Sequence, residues 1–266
     1  MTRHMMCATQ PAFPATDRHF LMFQRMLTSA LFAGAAAGLI AALLHFAFVQ
    51  QLILLSEQYE SGALTHFSTA SADPAAADDG HAHAAGTEEA GHSHEHSATA
   101  SDLQRNGLTV LFMGLVYIAY GMLMTAGFGF AESVGLRIGP TQGLLWGIAG
   151  FASFQLAPAL GLAPELPGTI AAELGARQVW WWGTVGATAT ALALLAYGRS
   201  VWMFVAAGVL LAAPHVIGAP QPDGFYGLAP PEVAALFSAR VLGVAVVVWA
   251  CLGWIAGHFW SRPVTA

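Results

Sequence analysis

Long apolar runs alternate with short polar segments along the chain, and this alternation is the strongest structural signal in the sequence. Six runs lack Asp, Glu and Arg altogether, and they lie at residues 27–49, 108–130, 143–163, 179–197, 201–217 and 241–259. A helix needs about 20 apolar residues to cross a hydrocarbon core roughly 30 Å thick. The pattern therefore predicts an all-α polytopic membrane protein, a bundle of about six transmembrane helices. The fifth run is the shortest, and a re-entrant element there would leave five spans.

The composition agrees with a membrane location. The chain has 266 residues, of which 56% are hydrophobic and 9% are charged, whereas soluble domains carry roughly 25% charged residues. All nine cationic side chains are arginines, and the formal net charge is −6. A nucleic-acid partner is not expected, because phosphate binding requires a basic face.

Composition also divides the chain into segments. The divisions are a disordered tail at 1–21, a first transmembrane helix with an external extension at 22–60, a disordered loop at 61–106, a helical bundle at 107–260 whose last helix covers 236–260, and a tail at 261–266. The first apolar run is longer than the ~7–15 residues of a signal-peptide core, so we expect an uncleaved span. The loop is rich in Ala, Ser, Gly, His and acidic residues and has little to bury.

The arginines predict the orientation, because cytoplasmic loops are enriched in cations. With six spans, one side holds Arg3, Arg18, Arg25, Arg137, Arg199 and Arg262, and the other holds Arg105, Arg177 and Arg240. We therefore expect both termini in the cytoplasm and the 61–106 loop on the external side of the membrane.

Histidines are concentrated in that loop. Five of the eleven lie within sixteen residues, and they are His81, His83, His92, His94 and His96. Neutral imidazole binds Zn²⁺, Co²⁺, Ni²⁺ and Cu²⁺, so the loop is predicted to capture transition metals. A low-complexity spacer that happens to be rich in histidine is the alternative. Such a flexible site does not select one metal.

Polar side chains also occur within or beside the spans, where burial is costly and function is the default hypothesis. They are His45, Gln50, Gln155 and His215 within or at the ends of spans, and Glu57 and Glu60 beyond the first span. If the first helix continues past Leu55, Gln50, Glu57 and Glu60 share one stripe. All of them fall in the predicted outer half, which suggests an entry vestibule for a cation. Hydrogen bonds to neighbouring helices are the alternative for each residue taken singly.

Other features have structural interpretations. The pair Gly34 and Gly38 is typical of close helix packing, and the tryptophans at 180–182, 202 and 260 are predicted to lie at the membrane interface. No Ser/His/Asp arrangement or phosphate-binding loop is present in the sequence, so we expect neither an enzyme nor a nucleotide-binding subunit.

Several strings are similar to the CbtA family, the proposed cobalt transporter subunit of bacteria, over nearly the whole chain. They are FQRML at 23–27, SEQYE at 56–60, LAPALGLAPELPG at 156–168, RQ at 177–178 and PHVIGAP at 214–220. The third string has Ala163 where the family usually has the first of two consecutive prolines. The family is often described with five spans, one fewer than the apolar runs predict.

The resemblance implies cobalt uptake for cobalamin synthesis, together with a small single-span partner subunit, CbtB. Combined with the polar positions, it favours Glu57, Glu60 and His215 as metal ligands, followed by His45, Gln155 and Glu165. No permanently bound cofactor is expected. The cargo is Co²⁺, with Ni²⁺ or Zn²⁺ as alternatives, and an ion gradient, the membrane potential or another subunit would drive it.

Two further hypotheses remain open. One is an electron-transfer subunit that binds haem through His45 and His215. The other is a membrane protein that senses metal or assists assembly without transporting.

Overall fold

A computed structural model describes residues 15–65 and 95–262, and within these ranges the chain is helical. The elements are α1 (Ala15–Phe48), α2 (Gln50–Glu60), α3 (Glu95–Ser133), α4 (Pro140–Phe151), a π-helical segment (Ala152–Leu156), α5 (Ala157–Ala159), α6 (Leu174–Tyr197), α7 (Val201–Ile217) and α8 (Pro231–Trp260). Each of the six apolar runs coincides with one of these helices or, for 143–163, with the α4, π-helical and α5 series. The prediction of an all-α polytopic membrane protein is confirmed.

Four helices in the described ranges are long and apolar enough to cross a bilayer. They are Leu21–Phe48, Asp102–Ser133, Leu174–Tyr197 and Pro231–Trp260. Helix α7 is apolar but has 17 residues, at the lower end of the usual spanning length. The series from α4 to α5 is interrupted by its π-helical segment.

Two helices begin earlier along the chain than the sequence pattern predicted. Helix α1 begins at Ala15, inside the expected tail, and α3 begins at Glu95, inside the expected loop. The residues from 95 to 106 include neither Gly nor Pro, so nothing in them stops a helix. An ion pair of 3.1 Å between Arg105 and Asp102, three residues apart, supports the early turns of α3.

The described residues form two compact units. Unit 1 comprises 15–39, Gly114–Phe151 and 246–262, and unit 2 comprises 40–65, 95–113 and Ala152–Ala245. Helices α1, α3 and α8 contribute residues to both units, α4 belongs to unit 1, and the π-helical segment, α6 and α7 belong to unit 2.

Glycines let two pairs of helices pack backbone to backbone in unit 1. In the pair of α1 and α3, a Cβ on Gly34 would overlap the backbone of Ile118. This contact confirms the packing interpretation of Gly34. In the pair of α4 and α8, a Cβ on Gly143 would overlap the carbonyl oxygen of Gly253 and lie 2.9 Å from Cα of Gly257. Such approaches require residues without side chains.

Unit 2 is built around a small apolar cluster. Its buried members are Val49, Leu52, Leu166 and Phe237, and the partly buried residues packed on them are Ile53, Ala229, Val233, Ala234, Val241 and Val244. The cluster therefore joins the start of α2, the segment between α5 and α6, and the first half of α8. This packing positions most of the polar residues considered next.

Candidate metal pathway

Helix α2 carries the predicted carboxylates. It continues to Glu60, as the stripe of polar residues required, and both Glu57 and Glu60 are exposed. At the beginning of the helix, Nε2 of Gln50 donates to Oδ1 of Asn106 at 3.1 Å, which ties α2 to α3. The carboxylates thus project from a helix that is anchored at its first turn.

The helix breaks between α1 and α2, four residues after His45. The backbone N–H of Val49 donates to the carbonyl of His45 at 2.9 Å, and the N–H of Leu52 donates to Val49 at 3.0 Å, only three residues back. Nη1 of Arg240 on α8 donates to the carbonyl of Phe48 at 3.0 Å. A cationic side chain therefore stabilises the negative C-terminal end of α1 at the break. The ring of His45 is half-buried and lies edge-on to that of Phe46.

Gln155 lies in a second distortion, the π-helical segment that follows α4. Pro158 stands two residues after the end of this segment and lacks an N–H, so regular α-helical bonding is interrupted in this region. The side chain of Gln155 is half-buried, while Ser153 in the same segment is buried. A polar side chain thus lies where the backbone departs from a regular helix.

His215 lies beside a third irregularity, Pro214 in the last turn of α7. Nε1 of Trp180 on α6 donates to the carbonyl of Pro214 at 3.0 Å, and the rings of Trp180 and His215 meet edge-on with centroids 6.2 Å apart. The helix ends at Gly218, whose φ of 86° suits a residue without a side chain. His215 itself is exposed.

Glu165 lies in the segment between α5 and α6, which side chains from three helices hold in place. Oε2 of Glu165 pairs with Nη2 of Arg177 on α6 at 3.0 Å. The hydroxyl of Ser56 donates to the carbonyl of Pro167 at 3.1 Å, and that of Ser238 donates to Pro164 at 2.7 Å. Glu165 is therefore already engaged in an ion pair, and a metal at this carboxylate would compete with Arg177.

A carboxylate outside the spans caps α6. Oε1 and Oε2 of Glu173 accept the backbone N–H groups of Gly175 and Ala176 at 2.8 and 2.7 Å. These two bonds, that from Ala176 first, lower the pKa of Glu173 below its ordinary value, since they stabilise the charged form. Glu173 thus has a structural role as an N-cap.

Every predicted metal residue that the structure describes in full lies in unit 2. These residues are His45, Glu57, Glu60, Gln155, Glu165 and His215. Among the residues whose side chains the structure describes, no three His, Cys, Asp or Glu come close enough together to hold a metal ion. His81, His83, His92 and His94 lie outside the described residues, and the structure describes only the helical backbone at His96. The ligand set therefore stays a prediction.

Sequence reasoning missed several contacts and misplaced one tryptophan. The hydroxyl of Ser56 is fully buried and holds Pro167, and its position inside the SEQYE string was the available signal. Arg240 at the helix break had no local signal, because its acceptor is a backbone atom 192 residues away. Trp202 is 80% exposed, as an interfacial residue should be, whereas Trp260 is fully buried. The interfacial prediction is wrong for Trp260, whose ring packs in unit 1.

Comparison with known proteins is consistent with this architecture. The family model named CbtA, probable cobalt transporter subunit, matches residues 23–261. Neither the curated proteins nor the solved structures contain a match to the chain. The family match includes all or nearly all of each of the four candidate membrane spans, together with the segment between α5 and α6. The chain therefore belongs to the CbtA family of probable cobalt transporter subunits.

Proposed function

We propose that the chain is the membrane subunit of a Co²⁺ uptake transporter, and that the polar residues of unit 2 form its cation pathway. In this proposal the His81–His96 segment faces the periplasm and concentrates the metal. The termini face the cytoplasm, and the bilayer is the bacterial inner membrane. A small single-span subunit of the CbtB type completes the transporter.

The observation that carries the proposal is that three predicted pathway residues coincide with helix distortions in unit 2. His45 precedes the break between α1 and α2, Gln155 lies in the π-helical segment, and His215 follows Pro214. Irregular backbone at membrane depth is tolerated where it is buried in protein or lines a cavity, and transporters use such breaks to bind ions. Polar side chains beside a helix break, in a π-helical segment and beside a proline within a helix, all in one unit, support an ion pathway.

The driving force would come from outside this chain, which has no nucleotide-binding motif. A membrane potential of 100 mV favours inward movement of a unit charge by about 2.3 kcal/mol, and therefore of a dication by about twice that amount. The carboxylates Glu57 and Glu60, exposed at the end of α2, would attract the ion before it enters.

Uptake of radiolabelled Co²⁺ tests the proposal, in cells that express the full chain with and without its single-span partner. The double variant Glu57→Gln, His215→Ala should abolish uptake at every Co²⁺ concentration. Deletion of 81–96 should reduce uptake mainly at low Co²⁺, because it removes capture and leaves the pathway. Normal uptake by the double variant would refute the proposed pathway.

His258→Ala is the matched control. His258 lies on α8 in unit 1, outside the proposed pathway, and its ring contacts Trp254 and Arg262. This variant should take up Co²⁺ at the normal rate. A haem absorption band in the purified protein that disappears with His45→Ala would instead support the electron-transfer alternative.

A further inference from the structure

Unit 1 contains two helix pairs, and the contacts within each pair differ in kind from the contacts between the pairs. Within each pair, glycines bring the backbones together: Gly121 of α3 would place a Cβ 2.8 Å from the carbonyl oxygen of Ala30 on α1, and Gly257 of α8 would place one 3.0 Å from Cα of Gly143 on α4. Contacts between backbones have no rotamers to change. Each pair, α1 with α3 and α4 with α8, therefore behaves as one rigid body.

Large aromatic rings make contacts between the two pairs, and we call these contacts the tryptophan seam. The ring of Phe128 on α3 lies edge-on to Trp146 and to Trp260, with centroids 5.5 and 5.8 Å apart. Tyr120 on α3 meets Trp249 on α8, with centroids 4.7 Å apart. Aromatic contacts of this kind have several geometries of similar energy, so the seam can repack.

One polar cluster, formed by Arg25, Glu132 and Trp260, closes the seam. Nη1 and Nη2 of Arg25 donate to the two carboxylate oxygens of Glu132 at 3.1 and 3.2 Å, and Nε1 of Trp260 donates to Oε1 of Glu132 at 2.8 Å. Nε of Arg25 donates to the Trp260 carbonyl, and the guanidinium carbon lies 4.4 Å from the centre of the indole ring. The cluster thus joins α1 and α3 to the end of α8.

The electrostatics of this cluster depend on Arg25. Glu132 lies in the last turn of α3, where the helix dipole disfavours a carboxylate, and Trp260 is the last residue of α8. Arg25 offsets both negative helix ends and the carboxylate. The Arg25 and Glu132 side chains are 25% and 28% exposed, so water can replace the pair when it separates.

From these contacts we propose that the two glycine-locked pairs move against each other across the tryptophan seam, and that Arg25, Glu132 and Trp260 form the latch of one arrangement. Rigid-body movement at an interface that repacks aromatic rings and ion pairs is an established form of conformational switching. The proposal goes beyond the transport function above and concerns unit 1 alone.

Distances between spin labels test the movement without relying on transport. Labels are attached to cysteines in the full chain in liposomes, after replacement of Cys7 and Cys251 by serine. All label sites are exposed in the structure: Leu31 on α1, Leu123 on α3, Leu145 on α4 and Trp254 on α8. The pair 31 and 145 measures across the seam, while 31 with 123 and 145 with 254 measure within each rigid pair.

Two populations of distance are expected across the seam, and one within each helix pair. Glu132→Gln retains an oxygen acceptor for Trp260 but removes the ion pair, so it should change the ratio of the two cross-seam populations by about fivefold or more. A single population across the seam, or two populations within a helix pair, would overturn the rigid-pair movement. If two cross-seam populations are found but their ratio is the same in Glu132→Gln as in the parent, the latch role of the Arg25, Glu132 and Trp260 cluster would be overturned.

Failure of this proposal is distinguishable from failure of the transport function. If the cross-seam distances show two populations but the chain takes up no Co²⁺ with its partner, the movement stands and the proposed cargo is wrong. If Co²⁺ uptake is normal but the cross-seam distances form one population, the transport function stands and the two helix pairs do not move against each other.

Discussion

Replacing Gly253 by alanine tests the backbone packing between α4 and α8. A Cβ at this position would overlap the carbonyl oxygen of Gly143 and lie 2.8 Å from the Cα and N of Gly147. Non-bonded carbon atoms are in optimal contact at about 3.5–4.0 Å, so α4 and α8 must separate by at least roughly 0.7 Å to admit the methyl group. Neither obstacle is a side chain that could rotate away.

The expected cost follows from this separation. Overpacking by a single methylene usually costs about 1–3 kcal/mol, and a radial gap of about 0.5–1 Å forfeits a quarter to a half of the dispersion energy of the atoms that lose contact. Because the whole helix interface opens, we expect Gly253→Ala to lower the free energy of unfolding by about 3 kcal/mol.

Gly243→Ala provides the matched control on the same helix. A Cβ on Gly243 would meet nothing within 4 Å, so this variant should be as stable as the parent or more stable by up to about 1 kcal/mol, because alanine favours a helix over glycine. The double variant Gly143→Ala, Gly253→Ala should lose less than the sum of the two single losses, since one separation of the helices accommodates both methyl groups.

The assay is unfolding of the purified protein in mixed micelles by increasing fractions of denaturing detergent. Equal free energies of unfolding for Gly253→Ala and Gly243→Ala would refute the packing argument, and with it the rigidity assigned to the α4 and α8 pair. If the losses in free energy of unfolding for Gly143→Ala and Gly253→Ala are strictly additive in the double variant, the two substitutions act at independent sites.

Two further predictions concern unit 2. Arg240→Ala removes the donor to the carbonyl of Phe48 at the helix break, and because this bond is exposed the same unfolding assay should show a loss of about 1 kcal/mol, partly recovered in Arg240→Lys. For Glu173 the pKa is lowered by folding, so its stabilising charge is present at neutral pH and is lost as the pH falls through the folded pKa, below the ordinary value of 4.5. Thermal melts should therefore show Glu173→Gln less stable than the parent at pH 7 and equal to it in acid; an unchanged difference would contradict the cap.

The length of the apolar runs was sufficient to predict the fold class, because a bilayer demands about 20 apolar residues from each helix whatever its neighbours are. The candidate residues His45, Gln155 and His215 were also evident, since polar groups within apolar runs stand out. Their coincidence with helix distortions was not evident. Two of the irregularities have a proline beside them in the sequence, Pro158 after the π-helical segment and Pro214 in α7. The break at Val49 has neither Gly nor Pro beside it, and Val49 packs in the apolar cluster that includes residues of α8.

Local pattern determined the helices and the presence of polar residues within them, because hydropathy and helix propensity are properties of neighbouring residues. Tertiary structure alone decided which partners they have. The sequence pattern assigned Arg25 to the cytoplasmic side and Trp260 to the membrane interface, and the structure shows that both bind Glu132, more than 100 residues from either. The same holds for Gly143 and Gly253, whose contact depends on how two helices cross. Such contacts join distant parts of the chain, so the residues adjacent to each partner in the sequence give no signal of them.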